Sequence, residues 1–228
     1  MRFFFIQVVH KNKKSYNKQQ EGSEVVFTEK SFAVFEIAGL EPRMNAIRQE
    51  IQPVFRILND RFKPYLEKEL AADLYLHIAQ HRRRSVYPPE STLSALSQNK
   101  RGYKMEPHFQ LGICEDYVFV WLSLIDQPPQ KTAFAQKMID HIALFEKLPQ
   151  DTVINGNHLS NDIFPLEMTS LKKLLTRLEN VKKGEFQIGR IISKESSLWH
   201  DPKAAEAYMM ATYLELLPIY QLLMRSDS

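Results

Sequence analysis

The chain has a single cysteine, Cys114, among 228 residues. One thiol forms no internal disulfide and no cysteine-based metal site, which points to a reducing cytoplasm as the compartment. Glycine is scarce, at seven residues. None of them builds a P-loop, a dinucleotide-binding fingerprint or a nucleophile elbow. No apolar run reaches the roughly 18 to 20 residues of a membrane helix. The opening MRFFFIQVV is short and leads into HKNKKSYNK without a small-residue cleavage site, so it does not read as a signal peptide. Excess charge is lacking too. Thirty basic against 27 acidic side chains leave +3, too little for the chain as a whole to act as a nucleic-acid binder. Any electrostatic site must be local.

What is present is ordinary globular composition, 44% hydrophobic and 25% charged, in a length suited to one sizeable core. The exception is His10 to Glu24, which has no aliphatic residue and one aromatic, Tyr16. Such a stretch cannot offset its ordering entropy, so residues 1–24 are expected to be a poorly packed extension of a single domain over 25–228. Glu21-Gly22 would be encoded as a purine tract suited to ribosome binding, and Val25 or Val26 would then be a GTG start. An intact mass that retained Met1 or Arg2 would refute that start.

From Met44 the apolar residues Ile47, Ile51, Phe55, Leu58, Phe62, Tyr65 or Leu66, and Leu70 recur at helical spacing, with Pro42 in a first turn. Pro53 lies inside the run and predicts a kink or two helices end to end. Leu74, Leu76 and Ile78 alternate as in a strand, and Phe109, Leu111 and Ile113 do so after a YPPES break. Glu115-Asp116 is a turn, and Tyr117 to Ile125 reads as a strand buried on both faces, giving a central antiparallel hairpin. Phe134 to Leu148 marks a second helix, and DTVING a short strand. A third helix carries Leu171 to Leu178 behind a Thr169 cap. EFQIGRII alternates again. Asp201-Pro202 opens a last helix running toward Met224, with an interruption at Pro218. The expectation is one α+β domain, a mostly antiparallel central sheet with a hairpin, flanked by helices.

The block HIAQHRRRSVYPPESTLSALSQNKRGYKMEPHFQLGICEDYVFV, with GLEPRM before it and NVKKGEFQIGR after it, resembles the YktB-like family of uncharacterised bacterial proteins. The resemblance runs from about Phe27 to near the C-terminus. Tyr87 stands where the family pattern has an asparagine, and Leu93 where it has a tryptophan. The resemblance implies a cytoplasmic α+β domain and no reaction.

Three constellations carry chemistry. Between His77 and His108 there are six cations (Arg82, Arg83, Arg84, Lys100, Arg101 and Lys104) against Glu90 and Glu106. Arginine forks suit phosphate and carboxylate oxygens, and the Gly102 turn can add backbone donors. The alternative is a solvated loop. In KKGEFQIGR, Phe186, Ile188, Arg190 and Ile192 share one strand face, so Arg190 points into an apolar region. It requires either an internal carboxylate or a bound anion there, the latter shared with Lys183 and the central block. His81 or His108 could act as a general base, although structural hydrogen bonding is the commoner fate. His77 and His81 are four residues apart, which on a strand spans about 13 Å, too far for one metal ion. His158 has no liganding context.

These residues lead to a domain that binds a phosphorylated or otherwise anionic partner, a small molecule or single-stranded nucleic acid. Arg82, Arg83, Arg84, Lys100, Arg101, Lys104, Lys183 and Arg190 would hold it, with Tyr103 (and Tyr87) available to stack on bases. No cofactor, metal or membrane is called for. The competing reading is a phosphoryl-transfer or phosphoester enzyme with arginine clamps and His81 or His108 moving the proton. A third is a protein-interaction domain whose basic face meets an acidic partner.

Overall fold

A computed structural model describes residues 25–125, 128–160 and 162–225. The expectation for residues 1–24 therefore lies outside the described residues. Among the described residues, six α-helices and seven strands form one α+β domain. The first described helices are α1 (Glu29–Ala33) and α2 (Leu40–Ala46). A widened turn, Ile47–Ile51, joins α2 end to end with α3 (Gln52–Leu70). Pro53 sits in the first turn of α3, where its missing N–H leaves no intrahelical bond unmade. The proline thus sets a junction, as its position predicts. Ile47, Ile51, Phe55, Leu58, Phe62 and Leu66 are all fully buried, so the helical stripe is the core face.

The strands are β1 (Tyr75–Ile78), β2 (Ser91–Ser97), β3 (His108–Cys114), β4 (Tyr117–Leu124), β5 (Val153–Asn155), β6 (Ile163–Pro165) and β7 (Phe186–Ser193). They form one antiparallel sheet in the order β1-β2-β3-β4-β7-β5-β6. The β3–β4 hairpin turns at Glu115-Asp116 and lies at the centre. Between the strands, α4 (Lys131–Asp140), α5 (Met168–Asn180) and α6 (Pro202–Met224) complete the helical layer.

The two faces of the sheet differ in chemistry. Across β2, β3, β4 and β7, Leu96, Phe109, Leu122 and Ile188 form one apolar row toward the helices. Phe109 stacks on Tyr220 of α6 at 4.7 Å. On the other face a row of His108, Ser123, Gln187 and Asn155 is polar yet buried. It is knit together by side-chain bonds, including those the Gln187 amide donates to Gln110 Oε1 (3.2 Å) and to the Ser123 hydroxyl (3.3 Å).

Three expectations need correction. Thr169 does not cap α5: the helix begins at Met168 behind Glu167. Pro218 does not interrupt α6, which runs unbroken from Pro202 to Met224. A mid-helix proline costs about 3 kcal/mol. Burial of Tyr213, Leu216, Ile219 and Tyr220 around it outweighs that, at roughly 1.5 to 3 kcal/mol for each large apolar side chain. The break between β1 and β3 also contains a strand, β2, whose STLSALS has no aromatic and, in Thr92, a single β-branched residue to announce one. The Asp201 cap holds, its carboxylate accepting from Ala204 N–H at 3.0 Å.

A candidate anion cleft beside β1

The loop from Gln98 to Pro107 joins β2 to β3 and is tied down locally. Asn99 N–H donates to the Glu106 carboxylate at 2.7 Å, and Arg101 N–H to the Asn99 side-chain oxygen at 2.9 Å. His77 of β1 donates from Nε2 to the Asn99 carbonyl at 2.9 Å. The Tyr103 ring lies 5.9 Å from that of His77 and 4.9 Å from that of His108. These contacts hold the loop across the start of β1. Between loop and strand opens a cleft of about 620 Å³, walled by Leu76, His77, Ile78 and Gln80 on one side and Arg101, Tyr103 and Lys104 on the other. Arg82 reaches it from the first basic run.

The two basic runs therefore meet, through some of their members. Arg82, Arg101, Tyr103 and Lys104 line one cleft. Arg83 is exposed and does not line it. Arg84 turns back to the Tyr87 and Pro88 carbonyls at 3.4 and 3.2 Å. Lys100 stands over the Tyr75 ring at 6.0 Å. Lys183 is exposed in the turn before β7 and does not line the cleft.

Arg190 occupies a different place. It is 5% exposed, on the apolar face that its strand register predicts. Its Nε stands 2.9 Å from Asp151 Oδ1 and its Nη2 2.5 Å from Glu215 Oε2, with the Tyr208 ring 5.1 Å from the guanidinium carbon. The partners are two carboxylates of the fold itself, largely buried Glu215 and half-exposed Asp151. Three strands, β2, β3 and β4, separate β7 from β1. At about 4.8 Å per strand spacing that is roughly 19 Å, so no single phosphate bridges Arg190 and the cleft.

The histidines are engaged elsewhere. His108 is fully buried; its Nδ1–H donates to the Glu106 carbonyl (2.8 Å) and its Nε2 accepts from the Gln110 amide (2.9 Å). Burial, first, pulls its pKa down to about 4, and nearby His77, Lys104 and His158 act in the same direction. His81 meets the Thr92 hydroxyl at 3.1 Å, and burial and then Arg84 lower it to about 4 as well. Neither is protonated near neutrality, and His108 has no nitrogen left for a substrate. Two features had no local signal in the sequence. His77 is a cleft wall only because β1 is a sheet edge. His158 holds both Glu185 carboxylate oxygens at 2.8 and 2.9 Å across 27 residues. Among the described residues no group of three or more His, Cys, Asp or Glu is placed to hold a metal ion. No helix among them is long and apolar enough to cross a membrane. Cys114 is buried, and burial raises its thiol pKa.

A family profile described as "Domain of unknown function (DUF1054)" matches residues 27–220. Curated relatives named UPF0637 protein align over nearly their whole length. One from Enterococcus faecalis is 58% identical over 198 residues, covering 87% of this chain and 98% of the relative. One from Exiguobacterium sibiricum is 44% identical over 86% of this chain and 96% of its own. The UPF0637 protein YsbB of Lactococcus lactis is 45% identical, with 87% and 99% covered.

Proposed function

The chain belongs to the DUF1054 family, whose members include the UPF0637 proteins, and from the chemistry of its cleft we propose that it is a binding domain for an anionic ligand. The observation that carries this reading is the convergence of two basic runs, separated in sequence, on one open cleft. Its volume, about 620 Å³, lies in the range of ligand sites. Arg82, Arg101 and Lys104 supply positive charge, and none of the lining side chains is a carboxylate. The phosphoryl-transfer reading loses ground. It relies on His81 or His108 to move a proton at the anion; neither lines the cleft, and both nitrogens of His108 are engaged within the fold. The single cysteine, buried, fits the reducing cytoplasm we assign as the compartment.

The test is calorimetric titration of the folded protein with tripolyphosphate, a short oligothymidylate and polyglutamate at low salt. At least one should bind, and Arg101→Ala with Lys104→Ala should weaken that binding about tenfold or more while leaving the melting temperature nearly unchanged. Absence of binding by all three, with the protein shown to be folded, would overturn the reading.

A further inference from the structure

We propose that the cleft takes its anionic ligand as an eighth strand: an extended, carboxylate-rich peptide segment of a partner protein, paired along the free edge of β1. This rests on the reading of the cleft as an anion site and names the form of the anion.

β1 is the first strand in the sheet order, so one of its sides has no neighbour among the described strands. The phase of its ladder follows from one bond. Ala79 N–H donates to the Leu93 carbonyl at 2.9 Å, in register with the Ile78–Ser94 pair. Antiparallel bonding alternates, so His77 and Tyr75 also turn their backbone groups to β2, and Leu76 and Ile78 turn theirs outward. The Ile78 carbonyl is taken by the Gln80 side chain at 3.0 Å. Leu76 N–H, Leu76 C=O and Ile78 N–H have no partner among the described residues. They are spaced by the two-residue repeat that strand addition uses, and both residues line the cleft.

Sheets ordinarily guard such edges with charge, proline or a very short strand. The far edge, β6, is three residues long and carries Pro165. β1 is itself four residues long, but it has no proline and no Lys, Arg, Asp or Glu within it. The cations stand instead at its two ends. Arg82 lies past Ile78, and Arg101 and Lys104 follow Ser97, the cross-strand partner of Tyr75. An incoming strand would thus meet unpaired amides along its length and positive charge at either end, which selects acidic side chains. Nucleic acid fits less well. The Tyr103 ring is packed on His77 and His108, and exposed Tyr87 does not line the cleft.

The experiment uses the full chain and octapeptides, blocked at both ends, with glutamate at alternate positions and the other positions randomised. A pool with lysine in place of glutamate is the control. The acidic pool should bind by fluorescence anisotropy and the lysine pool should not. Methylating the backbone nitrogens of one alternate set in a selected peptide should abolish binding. Methylating the other set should leave it, since only one set faces β1. Hydrogen exchange at the Leu76 and Ile78 amides should slow about tenfold or more in the complex, as new strand pairing requires. Equal binding by both methylated forms, or unchanged exchange at those amides, overturns the strand proposal. Binding of tripolyphosphate or oligothymidylate that is weakened in Arg101→Ala, with no binding of acidic peptide, overturns it while the anion cleft stands. Failure of every anion to bind removes both.

Discussion

Arg190 lies 5% exposed between Asp151 and Glu215, whereas Arg101 stands in an open cleft with no carboxylate among the side chains that line it. The same guanidinium thus serves two ends. On β7 the sheet face is apolar, so a charge there must be neutralised inside the fold, and α6 supplies Glu215 for that purpose. In the β2–β3 loop water solvates the charge, so no internal partner is required and the group is left available. Among the cations of this chain, burial marks the ones that the fold consumes, and exposure beside a cleft marks the ones it leaves for something else.

The largest effect that would break this contrast is on stability. Arg190→Met should cost about 3 to 5 kcal/mol, because Glu215 is left charged in a dry site. For a domain of this size that lowers the melting temperature by roughly 6 to 20 °C. Arg83→Met should stay within about 0.5 kcal/mol. Equal melting temperatures for the two variants would show that Arg190 is no more embedded than a surface arginine. Adding Glu215→Leu to Arg190→Met should recover part of the loss, since replacing both partners of a buried pair removes the stranded charge. A double-mutant cycle read by urea unfolding measures that coupling, and strict additivity would show that the two groups do not depend on each other.

A somewhat smaller effect separates the buried histidine from those near the surface. In the unfolded chain His108 titrates near the ordinary histidine value of 6.5, and in the fold burial lowers it to about 4. Above pH 6.5 both states are neutral and stability does not change. As pH falls from 6.5 toward 4 the unfolded chain takes up a proton that the folded one refuses, so stability is lost, by about 2 to 3 kcal/mol at pH 4.5. Below about 4 the loss stops growing. His81 is lowered likewise and adds to the slope. Glu106, raised by burial, opposes it by taking up its proton earlier in the fold. Unfolding free energies at pH 7 and pH 4.5 should therefore differ less in His108→Gln than in the wild type. An unchanged difference would mean that His108 is not the neutral, doubly bonded ring described above.

The contrast also shows which features the sequence made legible. The Ile47 to Leu66 stripe, the β3–β4 hairpin and the face of Arg190 all follow from a period of 3.6 or 2 that burial then enforces. β2 was invisible because its buried residues include Thr92, Ser94, Ala95 and Ser97, which carry little hydrophobic signal. Ser94 is buried because Asn59 of α3 donates to its hydroxyl at 2.8 Å, a contact 35 residues away that no window detects. Missing β2 hid the rest of the site. Without it β1 is not an edge, His77 is not a wall, and the loop carrying Arg101 is not the cover of a cleft. The cations themselves were legible as a cluster. Which of them converge, and that Arg190 is not among them, depends on strand order, which is long-range information.

The last prediction concerns salt, which should act on one arginine and not on the other. At physiological ionic strength the screening length is about 8 Å, and it shortens to about 3 Å at 1 M. Ions reach the cleft freely but cannot enter between Arg190 and Glu215, so that interaction is screened little. The melting-temperature gap between the wild type and Arg190→Met should thus be nearly the same at 0.05 and 0.5 M sodium chloride. The affinity gap between the wild type and Arg101→Ala for an acidic octapeptide should narrow over the same range. An exposed charge contributes at most about 1 kcal/mol even at low salt, or a few-fold in affinity, and screening removes most of that. Stability of Arg101→Ala itself should match the wild type within a few tenths of a kcal/mol throughout. Calorimetry of the three proteins at both salt concentrations, with anisotropy titrations in parallel, reads all of these quantities. A gap for Arg190→Met that closes with salt would place that guanidinium in solvent. A gap for Arg101→Ala that persists would mean that the cleft shuts over its ligand and excludes ions, and the difference between the two sites would then be one of occupancy rather than of exposure.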